Sequence, residues 1–296
     1  MPFSVLYSDE LAQKLVFNLR LPRLITAALL GASLAAAGGV MQMLFRNPLV
    51  EPGFLGVTQG AGFGAAFSIL WISTSPLIIE INAALFAVLG LLLSYFIARR
   101  IRFGGWVLRL VLSGIAVSAL FSAGLGILKY MADPTSELPE IVFWLLGGLY
   151  SVTWKDLLYI LPVVVIGLTV IFLMRWRLNL LSLSDETAFS LGVSVGRERT
   201  LLIAAGVGIT AVVVSVAGIV GWIGLIIPHI SRRITSANAA EFMPVSMSIG
   251  AVFAMLCDDL ARVLTTGEIP LGIITSLIGA AIFLVMMTSR KVRIAK

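Results

Sequence analysis

Side chains suited to covalent or metal chemistry are scarce in this sequence. One histidine, His229, and one cysteine, Cys257, stand among 296 residues. That is too few soft ligands for a zinc site, and a lone cysteine leaves no internal disulfide framework. The phosphate-cradling pattern GxxxxGK[ST] is absent, so the chain does not hold ATP itself. HExxH and GxSxG are absent as well, which counts against an intramembrane zinc or serine hydrolase. No nucleophile, base and orienter stand out as a set, so the sequence does not read as an enzyme. His229 follows Pro228 in an apolar stretch with no carboxylate close by in sequence, and reads as a packed histidine rather than a proton relay. The polar groups inside the apolar runs are mostly Ser and Thr, with Gln42, Gln59 and Asn82. They suit passage and contact, not bond-making.

The elements that carry these groups must be membrane helices. Hydrophobic residues make up 59% of the chain and charged residues 12%, against about 45–50% and about 25% in an ordinary soluble domain. Mean hydropathy is +1.05. A water-soluble globular protein, a disordered chain and a nucleic-acid binder are all excluded. The net charge of +6 and pI near 9.8 do not point to DNA, because the basic residues form short clusters between long apolar runs, as membrane-flanking charges do.

A helix needs about 20 apolar residues to cross the bilayer core. Runs free of Asp, Glu, Lys and Arg cover 24–45, 52–79, 81–98, 110–128, 157–174, 200–231, 242–257 and 269–289. The run 200–231 is too long for one span. Gly218, Gly221, Gly224 and Pro228 fall in its second half, so it reads as two helices joined by a tight turn. The expectation is nine spans in one transmembrane domain over 1–296. The segment 141–154 is too short to cross and reads as a surface or re-entrant helix in an external loop, 131–156.

Charge sets the orientation. One set of loops, 46–53, 99–109, 175–199, 232–241 and 290–296, holds 15 Lys+Arg against 5 Asp+Glu. The other side holds 6 against 10. The positive set belongs in the cytoplasm, which puts the C-terminus there and the N-terminus, with Lys14, Arg20 and Arg23, outside. Residues 1–20 carry no signal peptide pattern. No carboxylate falls near the middle of a span, where an ion-driven carrier usually places one. Energy for transport is therefore expected from a partner; an ion-driven carrier or channel acting alone is the alternative. Two stripes of small residues, Gly31, Ala35 and Gly39, then Gly56, Gly60 and Gly64, repeat every four residues and would let helix backbones approach closely.

Several stretches together resemble one permease family. They begin with Leu19-Arg20-Leu21-Pro22-Arg23, Gly31-Ala32-Ser33-Leu34-Ala35, Gln42, Arg46-Asn47-Pro48-Leu49 and Leu55-Gly56. They continue with Trp144-Leu145-Leu146-Gly147-Gly148, Leu183-Ser184-Asp185-Glu186-Thr187-Ala188, Gly221-Trp222-Ile223-Gly224 through Pro228-His229, Asp259-Leu260-Ala261-Arg262 and Glu268-Ile269-Pro270-Leu271-Gly272. Their order and spacing resemble the membrane subunits of type II ABC importers for iron–siderophore complexes, haem and cobalamin, with relatives that import oxyanions such as molybdate. The resemblance implies an all-α polytopic bundle in a bacterial or archaeal cytoplasmic membrane. Relatives usually have ten spans, one of them ahead of the segment at Leu19, and this chain begins too late for it.

The resemblance also implies partners: a second copy of the chain, two ATP-binding subunits that hold ATP and Mg, and an extracytoplasmic binding protein. Cofactors in this chain are expected to be none. Helices around 106–130 would line the pathway. In the loop 175–199, Ser184 is a plausible N-cap, Asp185 and Glu186 fall where a helix dipole favours acids, and Gly192 is a stop signal. By resemblance this is the coupling helix that meets the ATP-binding subunit, through Glu186, Thr187, Ala188, Leu191 and Gly192. Arg197 and Arg199 have two candidate partners, acids on that subunit or lipid phosphates. Arg20, Arg23 and Arg262 would meet acids on the binding protein, although Arg262 also has Asp258 and Asp259 within helical reach.

Overall fold

A computed structural model of the chain describes residues 10–288. Every regular element among them is helical. The long helices are α1 (Glu10–Phe45), α3 (Pro76–Arg100), α4 (Trp106–Met131), α6 (Trp154–Leu181), α8 (Val195–Ala217), α10 (Ala239–Val263) and α11 (Leu271–Thr288). These seven are long and apolar enough to cross a membrane. The shorter helices are α2 (Val57–Trp71), α5 (Glu137–Leu146), α7 (Asp185–Ser190) and α9 (Ile223–Ile234).

Nine helices among the described residues answer to the nine expected spans, but their bounds differ from the uncharged runs in three places. The run 52–79 is not one helix. A 3-10 turn at Pro52–Leu55, a left-handed Gly56 (φ +79°) and a break before Pro76 leave α2 only 15 residues, about 22 Å at 1.5 Å per residue. The run 200–231 does divide after Gly218, but its second piece, α9, has 12 residues and reaches only about 18 Å. The first span begins well before 24. Helix α1 runs back to Glu10, where Lys14 is exposed and pairs with Glu10 one turn away at 2.7 Å. The loop 290–296 lies outside the described residues. The short helix expected in the loop 131–156, α5, ends at Leu146, stopped by Gly147 at φ +70°.

Two local sequence features shape the ends of these helices. The π turn Val16–Arg20 in α1 widens the helix by one residue. The carbonyl of Phe17 accepts from the Trp154 indole at 2.8 Å, anchoring the start of α6 there. Within α9, Pro228 has no N–H to give the carbonyl of Gly224, one turn before it. Gln42 of α1 supplies the missing donor: its Nε2 reaches Gly224 O at 3.2 Å and Leu225 O at 3.0 Å. Its Oε1 accepts from Arg232. Gln42 is thus a helix tie, not a pathway group.

Helix α1 is the centre of the bundle, packed against α10, α8, α9 and α6. Its approach to α10 is backbone on backbone: a Cβ on Gly31 would lie 2.0 Å from the Gly250 carbonyl oxygen, and Ala35 is fully buried beside it. Gly38 meets α9 as closely, with Gly224 O 1.9 Å from a Cβ placed there. Gly39 faces the Met243 and Phe242 side chains at a looser 3.1–3.2 Å. Gly60 and Gly64 let α2 lie on the α3 carbonyls of Phe86 and Asn82, whereas Gly56 precedes the helix and packs against Val117. Such contacts hold helices together where lipid tails supply no hydrophobic drive.

Candidate coupling site

The segment Ser182–Val193 folds as a capped single-helix loop. Ser184 takes an extended ψ of 149°, and its Oγ accepts from the Thr187 N–H at 3.2 Å. Gly192 ends the element in the left-handed region (φ +79°), and the Val193 N–H returns to Ala188 O at 3.1 Å. Both signals lie where the pattern Ser-Asp-Glu…Leu-Gly places them.

One face of α7 is anchored to the bundle. Ala188 is buried. The Asp185 carboxylate accepts from Arg199 Nη2 at 2.8 Å and Nη1 at 3.4 Å. Arg199 sits at the start of α8 with its side chain only 8% exposed, and its guanidinium lies 4.3 Å over the Trp106 ring at the start of α4. Arg46, at the end of α1, donates to the Leu183 carbonyl. The Arg199 hydrogen bonds, with the charges of Arg199 and Arg46, outweigh partial burial and hold the Asp185 carboxyl below the ordinary carboxylate range. Arg199 therefore finds its acid within this chain, which corrects the expectation of a partner-subunit acid or a lipid phosphate. Asp185 pairs with Arg199 on one side while its carboxylate stays exposed on the other.

The other face is free of the bundle. Phe189 is 76% exposed, and Leu183, Glu186, Thr187, Leu191, Gly192 and Arg197 are exposed with it. Ala188, expected among the contacts, is turned inward. Phe189, absent from the expected contacts, is the most prominent group of the loop. The basic loops converge at this end. Arg46 touches Leu183, Trp106 touches Arg199, and Asn179 Oδ1 accepts from the Ala239 N–H at 2.8 Å.

At the opposite end, Arg23 occupies a different setting. Its Nε and Nη2 reach Asp258 at 2.9–3.0 Å, and its Nη1 reaches Glu268 at 2.8–3.0 Å. The Asp258 side chain is 1% exposed. Arg262 pairs with Asp259 and lies 3.5 Å from Asp258. Arg23 and Arg262 are thus engaged within the chain, Arg262 with the two aspartates that its helical spacing already put within reach. Arg20 is exposed.

One functional candidate is missing from the sequence reading. Glu51 counts there as an inner-loop charge, but its loop folds back into the bundle: Val50, Pro52 and Leu55 are buried, and Glu51 lines a cavity with α5, α9 and α11.

A bundle of membrane helices with a capped helix offered at its arginine-rich end has the form of a transport permease. Comparison with known proteins agrees. Residues 2–289 match the FecCD transport family, and the chain belongs to it. It is 38% identical over 289 residues to the molybdate import system permease protein MolB of Haemophilus influenzae, covering 96% of this chain and 83% of that one. It is 41% identical over 283 residues to a probable iron chelatin transport system permease protein of Helicobacter pylori, covering 94% and 84%. A solved structure described as an inward-facing metal-chelate type ABC transporter superposes with a TM-score of 0.90 at 39% identity, over 94% of this chain and 89% of that one. The chain is accordingly a multi-pass permease subunit of an ABC importer, with the type II fold.

Proposed function

We propose that two copies of this chain form the membrane channel of an importer for a metal chelate or related cargo: an iron–siderophore complex, haem, cobalamin or an oxyanion such as molybdate. Two separate ATP-binding subunits, which hold ATP and Mg, dock on the two α7 helices. A binding protein delivers cargo from outside, with Arg20 as a docking group, and the C-terminus lies in the cytoplasm. Alternation between two discrete arrangements moves the cargo. The chain itself needs no cofactor.

The observation that carries this reading is the division of α7 into an anchored and an open face. Asp185 holds the helix to Arg199, and through Arg199 to Trp106 at the start of α4, while Ala188 is buried. Phe189 and Leu191 stand out as exposed apolar groups, with Glu186, Thr187 and Arg197 around them. Aromatic anchors with a polar rim suit a protein partner. Displacement of α7 would reach α4 through the Arg199 guanidinium, which touches both.

Copurification tests it. The intact chain should hold an ATP-binding subunit in detergent at two copies of each. The double variant Phe189→Asp, Leu191→Asp should fold and lose that subunit. Undiminished retention of the subunit by the double variant would sink the assignment of α7.

A further inference from the structure

The arginines at the α7 end fall into two sets. Arg46, Arg175, Arg199, Arg232 and Arg233 each donate to a carbonyl or side-chain oxygen of the chain, and Arg177 pairs with Glu198. Arg99, Arg100 and Arg102, where α3 turns into α4, are exposed, and among the described residues none of the three has a hydrogen bond or an ion pair. Arg99 only stacks on Tyr95, 5.7 Å from the ring centroid. No Asp or Glu occurs between Glu80 and Asp133, so the hairpin offers them no acid of its own. Its shape is nonetheless fixed. Gly104 turns the chain in the left-handed region (φ +75°). Arg109 of α4 closes the loop, donating Nε to Gly104 O at 2.9 Å and Nη1 to Ile101 O at 3.3 Å. Phe103 is left at the tip, 65% exposed.

An apolar flank of α3 leads up to these groups. Leu85, Leu89, Leu92 and Phe96 recur every three or four residues and are exposed, while the buried side is built of small residues such as Ala83, Ala87 and Gly90. Arg99 and Arg100 are the next step along that flank. Exposed leucines and phenyl rings below a row of arginines match the two layers of a leaflet, acyl chain and headgroup. We propose that the α3–α4 hairpin is a docking surface for anionic phospholipid, with acyl chains along the α3 flank and the headgroup phosphate held by Arg99, Arg100 and Arg102. Guanidinium forks fit phosphate oxygens in pairs. An acidic protein partner would account for the arginines, but not for an apolar flank that runs from Leu85 to Phe96.

The test places the full chain, with Cys257→Ser and a bimane-labelled Phe96→Cys, in vesicles of phosphatidylcholine and phosphatidylglycerol. One lipid or the other is supplied in brominated form, and quenching of the bimane reports which of them lies beside α3. Each arginine near an anionic surface strengthens binding about fivefold, so phosphatidylglycerol should outcompete phosphatidylcholine by at least about fivefold at the labelled position. The combined change Arg99→Gln, Arg100→Gln, Arg102→Gln should abolish that preference. The same three positions changed to lysine, the check on folding, should keep most of it. Inorganic phosphate at matched ionic strength should leave it unaltered. No preference in the parent, or the same preference in the glutamine variant, would overturn the proposal. So would loss of the preference to inorganic phosphate, which would give the site to a free anion, or to added ATP-binding subunit, which would give the surface to a protein.

Discussion

The two ends of this molecule both rest on an arginine paired with an aspartate, yet the pairs are built for opposite purposes. At the end away from α7, Arg23 of α1 is closed between Asp258 and Glu268, and Asp258 is almost wholly buried. At the α7 end, Arg199 is buried but its partner Asp185 is 59% exposed and belongs to a six-residue helix. The Arg23 pair locks α1 to α10 and to the loop before α11. The Arg199 pair tethers a small element whose far side is exposed. The proposed importer uses both: a frame that keeps its shape, and a handle that can be pulled.

Breaking the Arg23 lock should have the largest effect. Arg23→Ala leaves the buried Asp258 with only Arg262, 3.5 Å away, and losing one partner of a buried pair costs up to about 3–5 kcal/mol. Thermal melting in detergent should show a marked drop in stability, and Asp258→Asn in the same background should recover part of it. If Arg23→Ala melts like the parent, the lock is misread. Next comes the handle: Phe189→Asp with Leu191→Asp should weaken binding of the ATP-binding subunit at least about tenfold, the scale of an aromatic anchor, with the melting temperature unchanged. Titration calorimetry or a pull-down series would read both.

The tether responds to pH. The folded-state pKa of Asp185 is depressed, so its contribution is present above its unfolded value near pH ~4 and is lost as pH falls through the lower folded value. Asp185→Asn should remove that acid-side dependence. Hydrogen exchange of 183–193, measured down to pH ~3, would register it against the parent. The smallest effect belongs to Glu268→Gln. Its carboxylate is 43% exposed, so the change should cost no more than about 1 kcal/mol. A cost equal to that of Arg23→Ala would erase the distinction between the buried and exposed arms of the lock.

What was legible in the sequence was local. Ser184, Asp185, Glu186 and Gly192 mark a helix of one or two turns because capping and stop signals act within a few residues. Gly218 marks the division of 200–231 for the same reason. The engagement of Arg23 was not legible, since Asp258 lies 235 residues away and such a pairing leaves no periodic trace. Arg199 is similar: its buried setting depends on Trp106, from another helix. Run length also misleads. Counting uncharged residues treats 52–79 as one span, but Gly56 and the Ser73–Pro76 break cut the helix short. The same counting assigns Glu51 to the inner loop, while the buried Pro52 and Leu55 carry it inward.

The central claim is that work done by a separate ATPase enters through α7. ATP-driven cargo uptake into vesicles measures it most directly, comparing the intact chain plus its ATP-binding subunit with the Phe189→Asp, Leu191→Asp chain plus the same subunit. Uptake that requires ATP in the first case and is abolished in the second is the predicted result. Uphill uptake by the chain without any ATP-binding subunit, or undiminished uptake by the variant, would contradict it.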